Sequence, residues 1–508
     1  MRHRYPHEER RGTWFLSATA STYTGVTTIN AGVLKVNLMA AGGAASSIGQ
    51  STNAAANFVI GNGATFSYVG STTSVTDRLL TIGNQSGGRA AIFDSSGTGV
   101  VQFTNTAALT GTGATDNTRT FEFTGTAGTI ATPNQFAPGI INRGANSTSV
   151  IKSGTGVWRL GGVSPTPVTS TFDGSVNIQN GTLIVSNLQN GGVSSSIGQS
   201  SNAAASLLIG SATTAATLRF DGSGGSNNST NRLFTVGAAG ATIDASGASG
   251  TPLLFTNTGS LVMGAATTTP RTLTLSGSNT DANTFSPVIV NGTGAGLTSL
   301  AKSGDGTWVL GSVNTFTGTT TVSDGVLRIG VNNAVNTASA VTVAPSNASD
   351  SASFELNGFN LALSNATAAL TLGGAANATA TMATGSGTLT LGGNVVYDAS
   401  GNAGTATISG LVATTAPRTF TVGNSSNTAS ELNVTANISG TGGGIVKAGA
   451  GRMTLSGTNS YTGATTVNEG VLTINGANNG TSSVTVGGTG PAPPRRSTVP
   501  ARLPVPLW

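Results

Sequence analysis

The sequence of 508 residues contains no cysteine and only two histidines. The absence of cysteine excludes disulfide bonds, thiol catalysis and thiolate metal sites, and it is compatible with export to an oxidising compartment. Because His3 and His7 both lie at the N-terminus, a histidine-based triad is excluded from the rest of the chain. Pro6 lies between the two histidines, and we expect them to be solvated rather than to bind a metal.

Charge is also scarce, since Asp, Glu, Lys and Arg make up only 8% of the chain. The net charge of +5 comes from the two ends: residues 1–12 and 491–508 hold seven basic and two acidic residues, which leaves 15 of each sign between them. A neutral body offers no basic stripe for phosphates, so we expect no nucleic-acid partner. No apolar run approaches the roughly 20 residues of a membrane-spanning helix, so we expect no membrane span.

Helix-favouring Glu, Lys, Met and Gln are few, whereas glycine is abundant, with 74 residues. Short apolar runs such as Phe58–Ile60 and Leu253–Phe255 alternate with turn signals about every 8 to 12 residues, which is typical of an all-β protein. Disordered chains combine low hydrophobicity with high net charge, and neither applies to a chain that is 37% hydrophobic. We therefore expect an ordered all-β fold.

A block of about thirty residues recurs four times. We name the copies block 1 (about 12–36), block 2 (150–185), block 3 (300–330) and block 4 (445–475). The first marker residues, Trp14, Trp158, Trp308 and Met453, are separated by 144, 150 and 145 residues. The second markers, Tyr23, Phe172, Phe316 and Tyr461, each precede a glycine by two positions and a leucine by 11.

Apolar residues within each block lie two apart, which places them on one face of a strand. We expect Trp158 and Trp308, with the leucines two positions later, to fill the interior; an exposed aromatic platform for a ligand is the alternative.

The charged residues of the blocks do not form a shared site. Three copies begin with a lysine (Lys152, Lys302, Lys447), which we expect to be a solvated strand end. Asp305 and Asp324 precede glycines and are expected in turns. The other carboxylates of the body are expected to be isolated, although β-helical lyases and glycosidases do work with clustered carboxylates. The sequence therefore predicts no catalytic, cofactor-binding or metal-binding residues, and no cofactor.

The segments between the blocks also repeat. Ser46–Ser51 returns as Ser195–Ser200, and Arg78–Gly83 returns as Arg232–Gly237, whereas the third segment diverges most. An Arg-Thr pair followed by an apolar residue recurs at Arg119, Arg271 and Arg418. A long segment was therefore duplicated rather than one motif. Thr319–Val322 resembles the threonine arrays of ice-binding solenoids, but it recurs once per long period and does not favour that function.

The two ends differ in composition from the body. Residues 491–508 hold six of the 16 prolines and cannot continue a sheet. We expect residues 13–490 to form one ordered all-β body, residues 1–12 to be a disordered or misassigned charged tail, and residues 491–508 to be disordered or out of frame. Both ends are expected to be truncated or misassigned relative to a longer protein.

Residues 302–311, Lys-Ser-Gly-Asp-Gly-Thr-Trp-Val-Leu-Gly, continue through Asn314-Thr-Phe-Thr-Gly-Thr-Thr-Thr-Val to Gly330. This pattern resembles the autotransporter-associated β-strand repeat, also called the passenger-associated transport repeat, and residues 447–474 resemble it as closely. Block 2 departs most, with Pro165–Pro167 inserted and Asp173 before Gly174. The resemblance implies a right-handed parallel β-helix in the passenger of a bacterial type V secretion system, with repeats that assist translocation and folding.

In a solenoid each coil is stable only when it is stacked on its neighbours, and small residues and glycines suit its tight corners. We therefore expect residues 13–490 to form one β-solenoid. With roughly 20 to 25 residues per coil and about 4.8 Å per coil, it would be a monomeric rod near 100 Å long. The favoured function is a non-enzymatic structural stalk at the cell surface or outside the cell, a location that the resemblance implies. The alternatives are an adhesin that binds surface glycans or host or neighbour-cell proteins, and a polysaccharide-degrading enzyme.

Overall fold

The computed structural model describes residues 12–487, except 18–19, 62, 84–89, 112–117, 143, 163–167, 224–227, 265–269, 294–295 and 427–429. His3, His7, Pro165–Pro167 and the proline-rich tail lie outside the described residues. The described chain consists of short β-strands joined by turns and irregular loops, with two short 3-10 helices at Ala55–Asn57 and Ala204–Ser206. No helix in these ranges is long and apolar enough to cross a membrane.

The strands of the first third are β1 (Thr13–Leu16), β2 (Thr27–Ile29), β3 (Gly32–Val36), β4 (Phe58–Ile60), β5 (Ala64–Tyr68), β6 (Ser74–Thr76), β7 (Thr81–Ile82), β8 (Ala90–Ser95), β9 (Val101–Phe103), β10 (Thr110–Gly111), β11 (Arg119–Gly125), β12 (Asn134–Phe136), β13 (Thr148–Lys152), β14 (Val157–Leu160), β15 (Val176–Ile178) and β16 (Gly181–Val185).

The strands of the middle third are β17 (Leu207–Ile209), β18 (Ala216–Phe220), β19 (Ser229–Thr230), β20 (Thr235–Val236), β21 (Ala241–Ala245), β22 (Leu254–Phe255), β23 (Val262–Met263), β24 (Arg271–Ser276), β25 (Ala282–Phe285), β26 (Thr298–Lys302), β27 (Thr307–Leu310), β28 (Thr320–Val322) and β29 (Gly325–Ile329).

The strands of the last third are β30 (Val341–Val343), β31 (Ser351–Glu355), β32 (Leu361–Leu363), β33 (Leu370–Leu372), β34 (Thr379–Leu391), β35 (Val395–Tyr397), β36 (Ala406–Thr414), β37 (Pro417–Val422), β38 (Leu432–Val434), β39 (Asn437–Ser439), β40 (Gly444–Ala448), β41 (Arg452–Leu455), β42 (Thr465–Val467), β43 (Val471–Ile474) and β44 (Val484–Val486).

These strands form long parallel sheets in which each strand pairs with the strands of the coils before and after it. Sheet I contains β1, β3, β5, β8, β11, β13, β15, β17, β20 and β23. Sheet II contains β6, β9, β12, β14, β16, β18, β21, β24, β26, β28, β30, β33, β35, β37, β40, β42 and β44. Sheet III-N contains β2, β4, β7 and β10, and sheet III-C contains β19, β22, β25, β27, β29, β31, β32, β34, β36, β38, β39, β41 and β43. The predicted all-β parallel solenoid is confirmed.

Sheets III-N and III-C occupy the same place in the order of the coil. Along the chain β6, β7 and β8 fall in sheets II, III-N and I, and β18, β19 and β20 fall in sheets II, III-C and I. The coil therefore has three faces, and the third face is built from two successive sheets.

The first coil of each block has two strands and one loop, and the loop takes the place of a strand on the remaining face. This is the face of sheet II in block 1, the face of sheets III-N and III-C in block 2, and the face of sheet I in blocks 3 and 4. The strand that carries Trp14 lies in sheet I, the strand of Trp158 lies in sheet II, and the strands of Trp308 and Met453 lie in sheet III-C. Block 2 is thus rotated by one face relative to block 1, and block 3 by one face relative to block 2, whereas block 4 keeps the faces of block 3.

Coil length differs between the blocks and the segments between them. Lys302 pairs with Val322, which is 20 residues later, whereas Leu183 pairs with Leu218, which is 35 residues later. The predicted 20 to 25 residues per coil therefore hold for the block but are too few for coils that carry long loops.

The core is one continuous row of inward side chains, because alternate strand residues point into the coil. In the first half it is a series of aromatic rings: Phe93 lies 5.0 Å from Phe136, and Phe123 lies 5.1 Å from Trp158, measured between ring centroids. Such contacts add to the area buried by each ring.

Candidate functional site

The three lysines that begin blocks 2, 3 and 4 are completely buried. Lys152 lies two positions after Val150, and the same relation holds for Lys302 and Leu300. Because residues two apart on a strand share a face, each lysine continues the inward row of its strand. The expectation that these lysines are solvated strand ends is therefore wrong. Their spacing of two residues from an apolar residue of the same strand is the sequence signal that indicates an inward side chain.

Each lysine Nζ donates to three backbone carbonyl oxygens, and we call this arrangement the lysine cage. Lys152 Nζ donates to the carbonyls of Ser153 (2.7 Å), Gly154 (2.8 Å) and Asn180 (3.0 Å). The cage of Lys302 uses Ser303, Gly304 and Asp324, and the cage of Lys447 uses Ala448, Gly449 and Glu469. An ammonium group has three donors, so every donor finds an acceptor.

The cage links two successive coils of the block. Two of its oxygens belong to the turn after the lysine, and the third belongs to a residue one or two positions before a strand of the next coil, 22 to 28 residues after the lysine. A buried ammonium without partners would be strongly destabilising, whereas these partners compensate much of the lost hydration. The lysine therefore fixes one coil of the block on the next.

Burial still disfavours the charged form of each lysine. It lowers the pKa of Lys152 to about 7. Burial also lowers the pKa of Lys302, to about 8, although the charges of Asp324 and Asp305 oppose this shift. Burial lowers the pKa of Lys447 as well, against the charges of Glu469 and Glu431.

The glycines at fixed spacing allow the cage to close. Gly181 has a φ of 65°, and a Cβ on it would lie 2.6 Å from the carbonyl oxygen of Gly156 and 2.8 Å from Lys152 Nζ. Asp324 has the predicted turn role, because its Oδ1 accepts the N–H of Gly325 at 2.8 Å. Asp305 lies in the bend between β26 and β27.

The aromatic residues of blocks 2 and 3 fill the interior, as predicted. Trp158 and Trp308 are fully buried, and their indole N–H groups donate to the carbonyls of Thr124 (2.9 Å) and Ser276 (2.8 Å) in the preceding coil. Met453 is also buried, whereas Trp14 on the first described strand is 72% exposed. The block therefore combines an inward ring with a buried cation.

Comparison with known families places the same four segments in one family. The passenger-associated-transport-repeat family matches residues 12–36, 150–185, 300–329 and 445–474. Four segments of this chain thus match the passenger-associated transport repeat. The lysine cage lies within three of these repeats and closes their coils.

One related protein is the adhesin BmaC autotransporter of Brucella suis biovar 1 (strain 1330), which is 40% identical over 319 residues. The match covers 63% of this chain and 9% of that protein, so the chain spans a small part of the length of its relative. No solved structure matches the chain.

Two buried arginines outside the repeats, Arg78 and Arg232, form larger versions of the cage; their segments recur in the sequence, but the recurrence alone predicts no role. Arg232 donates to the carbonyls of Gln189 (3.1 Å), Gly198 (3.0 Å) and Ser200 (2.7 Å), and to Ser200 Oγ (2.8 Å). Arg78 binds the equivalent loop, with bonds to Ser51 Oγ (2.7 Å) and the carbonyl of Gly49 (3.0 Å). Burial lowers the pKa of Arg232 to about 10. The joint recurrence of Arg78–Gly83 with Ser46–Ser51 was the available signal.

Several carboxylates have partners, so the expectation that they are isolated is wrong in part. Arg159 pairs with Asp221, Arg219 pairs with Asp244 at 2.5 Å, and Arg328 pairs with Glu355 at 2.6 Å. Arg219 and Asp244 lie opposite each other on neighbouring strands of sheet II, whereas the pair of Arg159 and Asp221 spans from β14 past β16 to the end of β18. These contacts neutralise the charges on the outer face of the rod.

Other carboxylates hold the backbone or hydroxyl groups of neighbouring coils. Glu431 accepts the N–H groups of Ser425 (3.2 Å) and Arg452 (2.7 Å), and Glu122 accepts the hydroxyl of Ser153 (2.6 Å). Within the described ranges there is no group of three or more His, Asp or Glu side chains that could hold a metal ion.

Proposed function

We propose that this chain is a non-enzymatic, β-helical stalk segment in the passenger of a bacterial autotransporter, located at the cell surface. The observation that carries the proposal is that the matched repeats are complete coils, each held to its neighbours by parallel strands, and in three of them by a lysine cage. Because stabilising contacts link adjacent coils, such a rod can gain stability one coil at a time as it emerges from a membrane. The relative named an autotransporter adhesin supports the same assignment.

The role of the repeats in export is tested with the complete gene in a Gram-negative host, with an epitope placed on the N-terminal side of this segment. We expect Lys302→Met with Lys447→Met to lower the amount of protease-accessible epitope on intact cells, because two coils lose their cage. The matched control is Val484→Ala, which changes a side chain that is 58% exposed. Equal surface epitope in the double variant and the control would refute the role of the repeats in export.

A shortened rod distinguishes a stalk from an adhesin, because only an adhesin segment would lose binding when coils are removed. Removal of residues 302–446 joins equivalent positions of blocks 3 and 4, which lie on the same faces, so we expect the remaining coils to stack normally. A stalk loses length but keeps the adhesion of the whole protein, whereas a binding segment loses adhesion. The adhesin alternative is favoured by the name of the relative, and a glycan array with the purified chain tests it directly.

The proposal of no enzyme activity is supported by the contacts of the carboxylates. A polysaccharide-degrading site needs two carboxyl groups about 5 to 10 Å apart on either side of one bond. Asp221 and Asp244 are each neutralised by an arginine, and both act as acceptors for neighbouring serines. Release of reducing sugars from surface polysaccharides by the purified chain would refute this part of the proposal.

A further inference from the structure

The peptide bond between Asn180 and Gly181 lies directly at the cage of Lys152. Gly181 N–H donates to the side-chain Oδ1 of its own neighbour, Asn180, at 2.7 Å. Cγ is one C=O bond of about 1.2 Å from Oδ1, so it lies within about 4 Å of the Gly181 nitrogen. The side-chain amide of Asn180 is thus turned toward the nitrogen with which its Cγ would form the five-membered succinimide ring.

The same peptide bond is in contact with a cation. Lys152 Nζ donates to the carbonyl oxygen of Asn180 at 3.0 Å. When Gly181 N loses its proton, negative charge spreads onto this oxygen, and a cation that is hydrogen-bonded there stabilises that charge. Asn180 and Gly181 are only half-buried, so water can reach them.

We propose that Asn180 is a site of self-catalysed deamidation, promoted by the Lys152 cage. Gly181 N loses its proton and forms a bond to Asn180 Cγ, the bond between Cγ and Nδ2 breaks, and ammonia leaves. Water then opens the succinimide: attack at Cγ gives aspartate, and attack at the main-chain carbonyl carbon gives isoaspartate. The reaction consumes one water, releases one ammonia and involves no oxidant or reductant.

Block 3 shows that the rod accommodates the aspartate product. Asp324 takes the place of Asn180, its Oδ1 accepts the N–H of Gly325 at 2.8 Å, and its carbonyl lies 3.0 Å from Lys302 Nζ. Block 4 has Glu469 at the same place. Deamidation therefore adds to block 2 the acidic group that blocks 3 and 4 already carry.

Other Asn-Gly pairs of the chain provide internal controls. Asn190 Oδ1 accepts the N–H of Asn231 (2.7 Å), and Gly191 N–H donates to Asn231 Oδ1 (2.9 Å) instead of to its own neighbour. Asn291 Oδ1 accepts two other backbone N–H groups, from Thr298 and Thr317, each at 3.1 Å. These contacts hold both side chains away from the nitrogen that would attack.

The test incubates the purified chain at neutral pH, folded and in denaturant, and measures deamidation at each Asn-Gly pair by peptide mass spectrometry. Because the reacting groups are positioned only in the folded state, we expect Asn180 to react at least about tenfold faster than Asn190 and Asn291 there, and at a similar rate to them in denaturant. Protection of Asn180 in the folded chain, or equal rates at the three sites, would overturn the proposal.

The part played by the lysine is tested with Lys152→Met, with the rates at Asn190 and Asn291 in the same sample as a control for folding. We expect the excess rate at Asn180 to fall several-fold while the control rates stay low. If all three rates rise together, the variant has unfolded, and the comparison of folded with denatured wild-type chain decides the proposal. If only the excess at Asn180 persists unchanged, promotion by the cage is refuted.

Discussion

Two segments of the rod hold their coils together in different ways. Interval 2 is the segment between blocks 2 and 3 (186–299), and interval 3 is the segment between blocks 3 and 4 (331–444). Interval 2 has a long loop that is bound by the buried Arg232, as interval 1 (37–149) has a loop bound by Arg78. Interval 3 contains one arginine, Arg418, which is half-buried and donates to the carbonyl of Leu391 at 2.8 Å. Its buried Tyr397 instead donates to the carbonyls of Ala403 and Gly404.

The corners differ as well. The described non-glycine residues with positive φ are Asn333, Ser349, Asn357, Asn377 and Asn402, and all of them lie in interval 3. Asparagine tolerates this conformation better than most residues and can form local hydrogen bonds. In intervals 1 and 2 the described left-handed positions are glycines. Interval 3 therefore differs from intervals 1 and 2 in how its corners are built. It also differs in that the blocks before and after it, blocks 3 and 4, lie on the same faces of the coil.

The largest expected effect is in interval 2, from Arg232→Met. The loop at 189–201 would keep its shape only with several carbonyl groups unsatisfied, and each such group costs about 1 to 3 kcal/mol. We expect a loss of at least about 3 kcal/mol in the free energy of unfolding, measured by urea denaturation. Arg232→Lys keeps the charge with three donors and should lose less. An unchanged midpoint for the methionine variant would show that the arginine does not hold the loop.

The second largest effect is expected from substitutions that put asparagine at a glycine corner of interval 2 and glycine at an asparagine corner of interval 3. A Cβ on Gly210, at a φ of 86°, would overlap the carbonyl oxygen of Gly240, so we expect Gly210→Asn to cost about 2 kcal/mol or more. Asn357 is exposed at a φ of 50°, so we expect Asn357→Gly to change stability by less than about 0.5 kcal/mol. Denaturation midpoints of the two variants measure the difference, and equal effects would remove the distinction between the intervals.

The difference between the intervals shows what could be predicted from the sequence. Inward rings and the block boundaries followed from spacings that every copy repeats, whereas the parallel stacking of the strands was implied by the resemblance to the transport repeat. The lysine cage was missed because a lysine is ordinarily solvated, and only its position two residues after Val150 shows that it points inward. The arginine loops and the rotation of the blocks depend on pairing between coils that are 20 to 35 residues apart, which no local pattern contains.

The third effect concerns pH, and it compares the cage that precedes interval 2 with the cage that precedes interval 3. Burial lowers the pKa of Lys152 to about 7 and that of Lys302 to about 8, so above these values the unfolded chain binds more protons than the folded one. Stability should therefore rise with pH from about 7 or 8 up to the ordinary lysine pKa of about 10.4, by at most about 1.4 kcal/mol per pH unit for each lysine. Below pH 7 neither lysine should contribute a slope.

Single variants separate the two lysines. We expect Lys152→Met to reduce the rise of stability already between about pH 7 and 8, and Lys302→Met to reduce it only above about pH 8, because each removes its own titration. Urea denaturation of each variant and of wild type at closely spaced pH values measures the slopes. The same slope in all three proteins would show that the cages keep their protons throughout this range.

The smallest expected effect comes from exchanging the carboxylate and the carboxamide that lie beside the two lysine cages. Asp324→Asn removes a carboxylate whose charge opposes the lowering of the pKa of Lys302, and Asn180→Asp adds one beside Lys152. We expect the pKa of Lys302 to fall and that of Lys152 to rise, with changes in stability of less than about 1 kcal/mol at neutral pH, because both residues keep the bond to the following glycine. NMR titration of 15N-labelled lysine side chains measures both shifts. Shifts in these opposite directions would show that one carboxylate accounts for the difference between the cages, and shifts in the same direction would contradict it.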